Sequence, residues 1–290
     1  MGAGVLILVG TPLGNRDDLS PRARAAILGA DLLLCEDTRS PLRLLGGRGE
    51  DGEEASLPPR VSCFVANEGD RVGLLLERLG RGERVVFVSE AGMPVWSDPG
   101  DKLVRAAVDA GFEVDVIPGP TAASMALSLS GFSAANVRFL GFPPRGGRAR
   151  GDLLEALVRE EAAVILYEAG NRTAELVRDL ARALPDAATR SLVVARELTK
   201  LHQEVIRGSV SELAARLDGS LRGEVTLVLA GAVATAADEE DPGRAAARAV
   251  WEVLGDAELR PRAKAKRIAE LTGLEAREIY AALSRDRARG

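Results

Sequence analysis

The sequence predicts an α/β protein made of two α/β domains and a small helical C-terminal extension. Apolar runs of strand length alternate with helix-length segments along most of the 290 residues, a pattern typical of β-α units that form a mainly parallel sheet covered by helices. A Pro/Gly/Arg-rich piece, Pro143–Gly151, interrupts the alternation and reads as a linker. A chain of this length can bury two cores, so we expect domains at 1–142 and 152–233 and the extension at 244–290.

Clear start and stop signals separate the elements of the first domain. Ser20 followed by Pro21 is an N-cap and N1 pair, and Gly29 closes that helix. The predicted strands are Val5–Val9, Asp31–Cys35, Val61–Val65, Arg84–Ser89 and Glu113–Ile117. The other predicted helices, each followed by a glycine, are Asp70–Leu79, Asp101–Ala110 and Thr121–Ser130.

The alternation resumes after the linker and predicts the second domain. Its predicted helices are Asp152–Glu160, Thr173–Leu184 and Ser211–Leu217. Its predicted strands are Ala163–Tyr167, Leu192–Arg196, Glu204–Arg207 and Val225–Ala230. The acidic segment Ala234–Arg244 contains Pro-Gly and predicts a flexible connector to a helical tail.

Composition excludes several classes of protein. The apolar runs are strand-sized, and the first of them ends in a Pro/Gly turn, so we expect a first strand and no membrane span or signal peptide. Cys35 and Cys63 lie in apolar runs, as buried reduced thiols of a cytoplasmic protein do. With His202 as the one histidine and no cysteine pair at ligand spacing, we expect no metal site.

The charge is distributed unevenly. The whole chain carries −5, but Arg260–Gly290 holds nine Lys or Arg against four Asp or Glu, a local charge of +5 that leaves about −10 elsewhere. A second basic cluster is "PPRGGRARG" at Pro143–Gly151. This asymmetry fits a polyanion contacted locally, and it fits a solvated basic tail equally well.

Four predicted strands end in unusual turns. Their sequences are "GTPLGNRDDLS", "CEDTRSPLRLL", "SEAGMPVWSDPG" and "PGPTAAS". Ligands of open α/β sheets bind beyond the carboxyl ends of the strands, so we expect these turns to converge on one edge. Glycine and alanine allow close approach of the backbone, and prolines stiffen the loops. No phosphate-binding glycine motif is present, and a rigid rim of small residues suits a flat heterocycle with a ribose.

Taken together, the motifs resemble the tetrapyrrole-methylase superfamily, and most closely its branch that methylates a cytidine ribose 2′-hydroxyl in 16S rRNA. The resemblance runs from about Val5 to Gly231, and the tail resembles the C-terminal extension of that branch. The motifs that carry it are "VGTPLGNRDDLSPRA", "EDTR", "AGMPVWSDPG", "VIPGPTAASMALSLSGF", "FLGFPPR", "RELTKLHQEVIRG" and "GEVTLVLAG". It implies two α/β domains with S-adenosylmethionine in the cleft between them, a homodimer, and 16S rRNA, within the assembled 30S subunit, as substrate.

The resemblance also implies roles for individual residues. The cofactor residues are Pro12, Ala91, Gly92, Pro94, Ser97, Asp98, Thr121, Ala122, Tyr167, Gly223, Glu224 and Val225. Glu36, Asp37 and Glu197 are the candidates for accepting the 2′-hydroxyl proton. Arg39, Arg145, Arg196 and Lys200 are the candidates for phosphate contacts. Two alternatives stay open: Asp98 as an N-cap of the next helix, and salt bridges of the three carboxylates with Arg39 or Arg196.

Three stretches depart from the pattern of the branch. "EAGMP" stands for "DAGTP", "YEAGNR" for "YESPHR", and "VANEG" for a histidine-containing motif.

The tail segment Arg262–Arg285 predicts two amphipathic halves broken at Thr272-Gly273, which suits an RNA-docking module or a helical cap. Its predicted core residues are Ile268, Leu271, Leu274, Ile279 and Leu283. Two alternative functions remain, a small-molecule methyltransferase such as one acting on tetrapyrroles, and a ligand-sensing DNA-binding regulator.

Overall fold

The structure is a computed structural model that describes residues 4–45, 57–232, 261–272 and 275–277. The chain divides into two compact units, Met1–Ala232 and Val233–Gly290. Both predicted sheets lie in the first unit. Within the described residues, no helix combines the length and apolarity needed to cross a membrane.

The first sheet is parallel, as expected, with strand order β3-β2-β4-β1-β5. Its strands are β1 (Val5–Val9), β2 (Leu32–Cys35), β3 (Arg60–Ser62), β4 (Arg84–Val88) and β5 (Glu113–Ile117). All five predicted strands are therefore confirmed in position. β3 is shorter than predicted because the Asn67 side chain accepts the Phe64 N–H at 2.7 Å and turns the chain after Cys63.

Helices cover both faces of the first sheet and produce two apolar clusters, one on each face. The helices of this part are α1 (Pro21–Leu28), α2 (Ser40–Leu44), α3 (Glu68–Gly80), α4 (Asp101–Asp109) and α5 (Ala122–Ser130). The predicted signals of α1 are confirmed, since the Ser20 side chain accepts the Ala23 N–H at 3.1 Å and Gly29 is the C-cap. Helix α2 and a short 3-10 helix at Arg16–Asp18 are not foreseen by the sequence patterns.

The second sheet is mixed, with strand order β6-β7-β10-β8-β9, and only β6 and β7 run parallel. Its strands are β6 (Val137–Gly141), β7 (Ala163–Ala169), β8 (Ser191–Arg196), β9 (Glu204–Ser209) and β10 (Glu224–Leu229). Its helices are α6 (Gly147–Val158), α7 (Gly170–Ala183) and α8 (Val210–Arg216). The mainly parallel arrangement expected from β-α alternation thus holds for the first sheet alone.

Strand β6 is an element that the sequence patterns missed. It precedes residue 142, where the first domain was predicted to end, yet it pairs with β7 of the second sheet. The predicted linker Pro143–Gly151 is wrong in its second half, because α6 begins at Gly147. The physical reason is Arg150, which is buried and whose guanidinium pairs with Asp179 at 2.7 Å. The domain boundaries themselves stay a prediction.

Helix α5 joins the two sheets. It follows β5 of the first sheet, but its buried residues Ala123 and Ala126 pack against Ile165, Val193 and Val228 of the second. The opposite face of the second sheet is covered by α6, α7 and α8. The first turn of α5 is thereby placed at the junction of the two halves.

The second unit is described over one helix and a short piece. This helix, α9, spans Pro261–Thr272, and its end coincides with the predicted break. Ala265 and Ile268 are buried, whereas Leu271 is 44% exposed. The other predicted core residues Leu274, Ile279 and Leu283, and the connector Ala234–Arg244, lie outside the described residues.

Candidate functional site

Loops from both sheets meet around one cleft of about 360 Å³. The first sheet contributes the loops that follow β1, β2 and β4 and the start of α5, and the second contributes the ends of β6 and β7 and the start of β10. The lining residues are Leu13, Glu36, Glu90, Ala91, Gly92, Met93, Trp96, Ser97, Asp98, Thr121, Ala122, Phe142, Tyr167, Glu168, Ala169, Gly223, Glu224, Val225 and Thr226. The cleft thus lies beyond the carboxyl ends of parallel strands, where α/β proteins bind ligands.

Three loops of the first sheet are fastened to one another at the cleft. Thr11 and Gly92 exchange backbone hydrogen bonds at 2.9 and 3.0 Å, which ties the loop after β1 to the loop after β4. Gly10 faces the turn after β5 so closely that a Cβ atom there would lie 2.5 Å from Gly119 N and 2.6 Å from Met93 Sδ. Met93, the residue that replaces threonine in the family pattern, accepts the Gly119 N–H at 3.2 Å through its sulfur. The methionine at position 93 is thus accommodated among the hydrogen-bonded loops at the cleft.

Tyr167 connects the second sheet to helix α5. Its hydroxyl oxygen accepts the Ala123 N–H at 3.2 Å, and Thr121 caps the helix by accepting the Ser124 N–H at 3.1 Å. Two of the N–H groups that a helix start leaves without a partner in the helix therefore have partners elsewhere in the protein. Burial raises the pKa of Tyr167, so the hydroxyl stays protonated at neutral pH.

The segment Gly223–Val225 is held by Glu197. One carboxylate oxygen of Glu197 accepts the Glu224 N–H at 3.0 Å and the Lys200 ammonium at 3.0 Å. Gly223 has φ +82°, and a Cβ atom there would collide with Glu197 Oε1. Burial acts to raise the pKa of Glu197, but the hydrogen bonds from Glu224 N–H and Lys200 outweigh it and lower the pKa. Glu197 is therefore ionised and holds the segment Gly223–Val225 in place through the Glu224 N–H.

Carboxylates dominate the charge of the cleft. Among the described residues that line it, Glu36, Glu90, Asp98, Glu168 and Glu224 are acidic and none is Lys or Arg. From outside the lining, Arg172 pairs with Glu168 and Lys200 with Glu224. Burial, followed by the charge of Glu36, raises the pKa of Asp98 to about 7, against a hydrogen bond from Ser89. Burial and the charge of Glu90 raise the pKa of Glu36. A pocket that raises the pKa of its carboxyl groups in this way favours a cationic ligand or a role for those groups in proton transfer.

The structure brings ten of the twelve predicted cofactor residues to the cleft lining. The other two, Pro12 and Pro94, are buried beside it. The alternative of Asp98 as an N-cap is wrong, because Gly100 is the cap position of α4 and no capping bond comes from its own loop. The buried Glu68 carboxylate accepts the Gly100 and Lys102 N–H groups instead, at 2.8 and 3.0 Å.

The three proton-acceptor candidates occupy different environments. Glu36 lines the cleft. Asp37 pairs with Arg39 at 2.7 Å, and hydrogen bonds from that side chain lower the pKa of Asp37 to about 2. Glu197 pairs with Lys200 rather than with Arg196. The salt-bridge alternative thus applies to Asp37 as stated and to Glu197 with a different partner.

The four phosphate-contact candidates divide into two pairs. Arg39 is 79% exposed, and Arg145 lies on the surface at the turn before α6. Arg196 is engaged by Glu204 at 3.2 Å, and Lys200 bridges Glu197 and Glu224. Arg39 also pairs with Asp37 at 2.7 Å. Arg39 and Arg145 are better placed to meet a phosphate because they are more exposed than Arg196 and Lys200, whose side chains are 21% and 31% exposed.

Comparison with known proteins identifies the family. Residues 5–214 match the sequence profile of the family described as Tetrapyrrole (Corrin/Porphyrin) Methylases. The chain belongs to this family. The predicted membership and the predicted two-sheet α/β fold are both confirmed.

Several curated members of the family are similar over most of the chain. A "Ribosomal RNA small subunit methyltransferase I" of Mycobacterium tuberculosis is 42% identical over 239 residues, 80% of this chain and 79% of that protein. The Thermotoga maritima protein of that name is 40% identical, over 79% of this chain and 99% of its own. The Xylella fastidiosa protein of that name is 36% identical over 280 residues, 96% of this chain and 98% of its own.

Solved structures share the tetrapyrrole-methylase fold at low sequence identity. Diphthine synthase superposes with a TM-score of 0.59 at 14% identity, over 78% of this chain and 90% of its own. A uroporphyrin-III C-methyl transferase from Thermus thermophilus, solved with S-adenyl homocysteine, has a TM-score of 0.53 at 17% identity over 78% of this chain and 91% of its own.

Several residues of the site are absent from the predicted set. Glu90, Trp96 and Phe142 line the cleft, and Glu68 supports one of its loops from behind. Trp96 and Phe142 stand within motifs already singled out, so aromatic residues in loops that are otherwise rich in small residues were a usable signal. Glu68 offered none, because its partners lie more than 30 positions further along the chain. In the described residues no group of three or more His, Cys, Asp or Glu is arranged to hold a metal ion.

Proposed function

We propose that this member of the family is an S-adenosylmethionine-dependent methyltransferase that modifies the ribose 2′-hydroxyl of a cytidine in 16S rRNA, within the assembled 30S subunit. One observation carries the proposal. Loops of both sheets converge on a single cleft that contains ten of the residues predicted for the cofactor, in a chain 36–42% identical to proteins named for small-subunit rRNA methylation.

The cleft fits the cofactor in shape. Ala91, Gly92 and Ala122 give a smooth wall where the backbone can approach a ligand closely. The wall formed by Gly223–Val225 faces it from the second sheet and is held by Glu197. A volume of about 360 Å³ lies within the range of pockets for small molecules and cofactors.

The cleft also fits the cofactor in charge. S-adenosylmethionine supplies a methyl group on a cationic sulfonium, and its ammonium and carboxylate groups leave it with a net charge of +1. Asp98, Glu36 and Glu224 would stabilise the positive charges, and the charge of a bound cation would in turn lower the pKa of Asp98. The same carboxylates repel phosphate, so the RNA backbone would remain at the mouth of the cleft.

Positioning would supply most of the rate acceleration, because the cofactor brings its own good leaving group. The side chains suited to accept the 2′-hydroxyl proton are Glu36 and Asp98, since both line the cleft and both have a raised pKa. A base is effective at neutral pH when its pKa lies at or a little below 7, which is where the bound cofactor would leave that of Asp98. Asp37 and Glu197 are tied into ion pairs, so we assign them structural roles.

Exposed cations would receive the RNA. Arg39 and Arg145 are candidates for phosphate contacts, and the basic α9 segment is a further one, with Lys264, Lys266 and Arg267 on one helix. A weakly acidic chain gains little from nonspecific attraction to RNA, which favours a structured particle as substrate.

We further propose that the protein acts as a homodimer in the cytoplasm.

Methyl transfer from isotopically labelled cofactor tests the proposal. Purified protein is offered 30S subunits, naked 16S rRNA and uroporphyrinogen III, and labelled rRNA is mapped by mass spectrometry of nuclease fragments. We expect one 2′-O-methylcytidine in the 30S sample. Label in uroporphyrinogen III, or label on an RNA base, would refute the proposal and would indicate a different methyltransferase activity. The control is Ala91→Trp, which fills the cleft.

A further inference from the structure

Two large aromatic side chains remain exposed at the cleft. Trp96 is 45% exposed and Phe142 is 58% exposed, and both line the cleft. Trp96 lies in the loop after β4 of the first sheet, and Phe142 directly follows β6 of the second. Single exposed apolar residues are ordinary on protein surfaces. Two that reach one cleft from opposite halves of the molecule call for an explanation.

Both rings are held in place by less exposed aromatic neighbours. Trp96 stacks on Phe139 with ring centroids 4.9 Å apart and an interplanar angle of 26°. Phe142 and Phe139 each meet Tyr167 edge to face, with centroids at 5.6 and 5.0 Å. Four rings therefore form a continuous aromatic cluster from one lip of the cleft to the other. These contacts hold both exposed rings against their neighbours.

The backbone around the exposed pair is also fixed. Gly141, next to Phe142, has φ +63°, and a Cβ atom there would lie 3.2 Å from the Ser97 hydroxyl oxygen, next to Trp96. On the other side, the Arg150 guanidinium donates to the Pro144 carbonyl at 3.0 Å and pins the turn that follows Phe142. The spacing of the two rings is thus set by contacts between the two sheets.

The charges around the rings indicate what they would bind. Carboxylates lie inside the cleft, and the exposed Arg145 and Arg148 follow Phe142 by three and six positions in the sequence. A ligand that suits all three zones is flat and aromatic at the rings and anionic at the arginines. A nucleotide within RNA has this form, because bases stack on aromatic side chains while phosphates meet arginine.

We propose that Trp96 and Phe142 form a stacking site that receives the base of the target nucleotide after it leaves its stacked position in the RNA. This inference rests on the proposed function and adds how the ribose would be presented: a base held between the two lips orients its own 2′-hydroxyl toward Glu36 and Asp98. An extruded base is how enzymes commonly reach atoms hidden within a folded nucleic acid.

Steady-state kinetics with 30S subunits test the site. Trp96→Leu and Phe142→Leu keep apolar bulk but remove the aromatic face, and Trp96→Phe and Phe142→Tyr restore it. We expect each leucine variant to raise KM for 30S roughly 5- to 150-fold, with less effect on kcat, and the aromatic variants to recover most of the loss. Phe64→Leu is the matched control, since Phe64 is 45% exposed and does not line the cleft.

A calorimetric titration with S-adenosylmethionine distinguishes whether the two rings hold the target base of the RNA or the adenine of the cofactor. If the rings hold the target base, the leucine variants bind the cofactor within about twofold of wild type; if they hold the cofactor adenine, cofactor affinity falls instead and the inference is overturned. Unchanged KM in an active leucine variant would also overturn it and leave the methyltransferase proposal intact. An inactive wild type would refute the proposed function itself.

A fluorescence measurement gives a readout that does not depend on activity. The chain has two tryptophans, Trp96 and Trp251, so Trp251→Phe leaves Trp96 as the sole indole reporter. We expect oligocytidylate added with saturating S-adenosylhomocysteine to quench this emission. No quenching at oligonucleotide concentrations that inhibit 30S methylation would contradict stacking on Trp96.

Discussion

The buried carboxylate of Glu68 accepts a hydrogen bond from the Gly100 N–H at 2.8 Å, although 32 positions separate the two residues. Lys102 and Leu103 donate to the same oxygen at 3.0 and 3.4 Å. Glu68 is the first residue of helix α3, so helix α4 is capped by a side chain from a different helix. Because α4 directly follows the loop that carries Ala91–Asp98, this contact fixes the end of a principal cleft wall.

Replacing Glu68 by alanine should destabilise the protein. Three N–H groups near or within the first turn of α4 would lose their acceptor in a buried place, and we expect the free energy of unfolding to fall by about 2 kcal/mol. Glu68→Gln keeps an acceptor and should recover part of the loss. Urea unfolding measures both, and Glu77→Ala on the exposed face of α3 is the control with an effect below about 0.5 kcal/mol. Equal stability of Glu68→Ala and Glu77→Ala would contradict the capping role.

Gly223→Ala should weaken both stability and cofactor binding. The added methyl group would adopt a strained φ near +82° and would also collide with Glu197, which holds the Glu224 N–H. Gly219→Ala is the matched control, because Gly219 has φ +89° and nothing within 4 Å of a Cβ atom. We expect a loss of about 1 kcal/mol for the control and at least twice that for Gly223→Ala in urea unfolding. A loss no larger than that of Gly219→Ala would show that Glu197 does not constrain this wall.

Asp98 should make the folded protein less stable as the pH rises. Its pKa is raised to about 7 in the folded protein by burial and by the charges of Glu36, Glu224 and Glu90. Between its ordinary value near 4 and pH 7 the folded state holds more protons than the unfolded state, so stability falls as pH increases through that window. Asp98→Asn lacks this penalty.

The test compares urea unfolding of Asp98→Asn and wild type from pH 4 to pH 8. We expect equal stability near pH 4 and an advantage of about 1–2 kcal/mol for the variant above pH 7, a figure reduced because the carboxyl is partly exposed. An advantage independent of pH would assign the effect to packing instead of titration.

The proton-acceptor assignment should appear in single-turnover rates on 30S subunits. Glu36→Gln or Asp98→Asn should lower the methyl-transfer rate about 10²–10⁴-fold, and Asp98→Asn should also remove the rise of the rate with pH up to about 7. Asp37→Asn should leave the pH profile unchanged, because Asp37 has a lowered pKa and is paired with Arg39. A pH profile lost in Asp37→Asn and kept in the other two would reverse the assignment.

Local signals made much of the first sheet predictable. Ser20, Pro21 and Gly29 mark helix α1 within ten residues of sequence, and the three central strands β1, β2 and β4 are apolar runs buried on both faces. Such runs do not encode direction, so the antiparallel pairs of the second sheet were not predictable. Strand β6 was missed because an edge strand is only partly buried and carries a weak apolar pattern.

The limits of prediction at the site have the same origin. The convergence of the strand-end loops could be predicted because a parallel sheet brings its strand ends to one edge, and the family resemblance then indicated individual residues such as Ala91 and Thr121. Contacts between distant segments could not be assigned. The pairing of Glu68 of α3 with the start of α4 and the pairing of Lys200 with Glu224 are both contacts that spacing along the chain does not reveal.

Calorimetric titration of S-adenosylmethionine into the purified chain, wild type beside two tryptophan variants, tests the cleft most directly. Ala91→Trp fills the cleft lining, whereas Ala156→Trp places the same side chain on the exposed face of α6. The account predicts one cofactor bound per chain in wild type and in Ala156→Trp, and no detectable binding in Ala91→Trp. Binding of wild-type strength in a folded Ala91→Trp protein would contradict it.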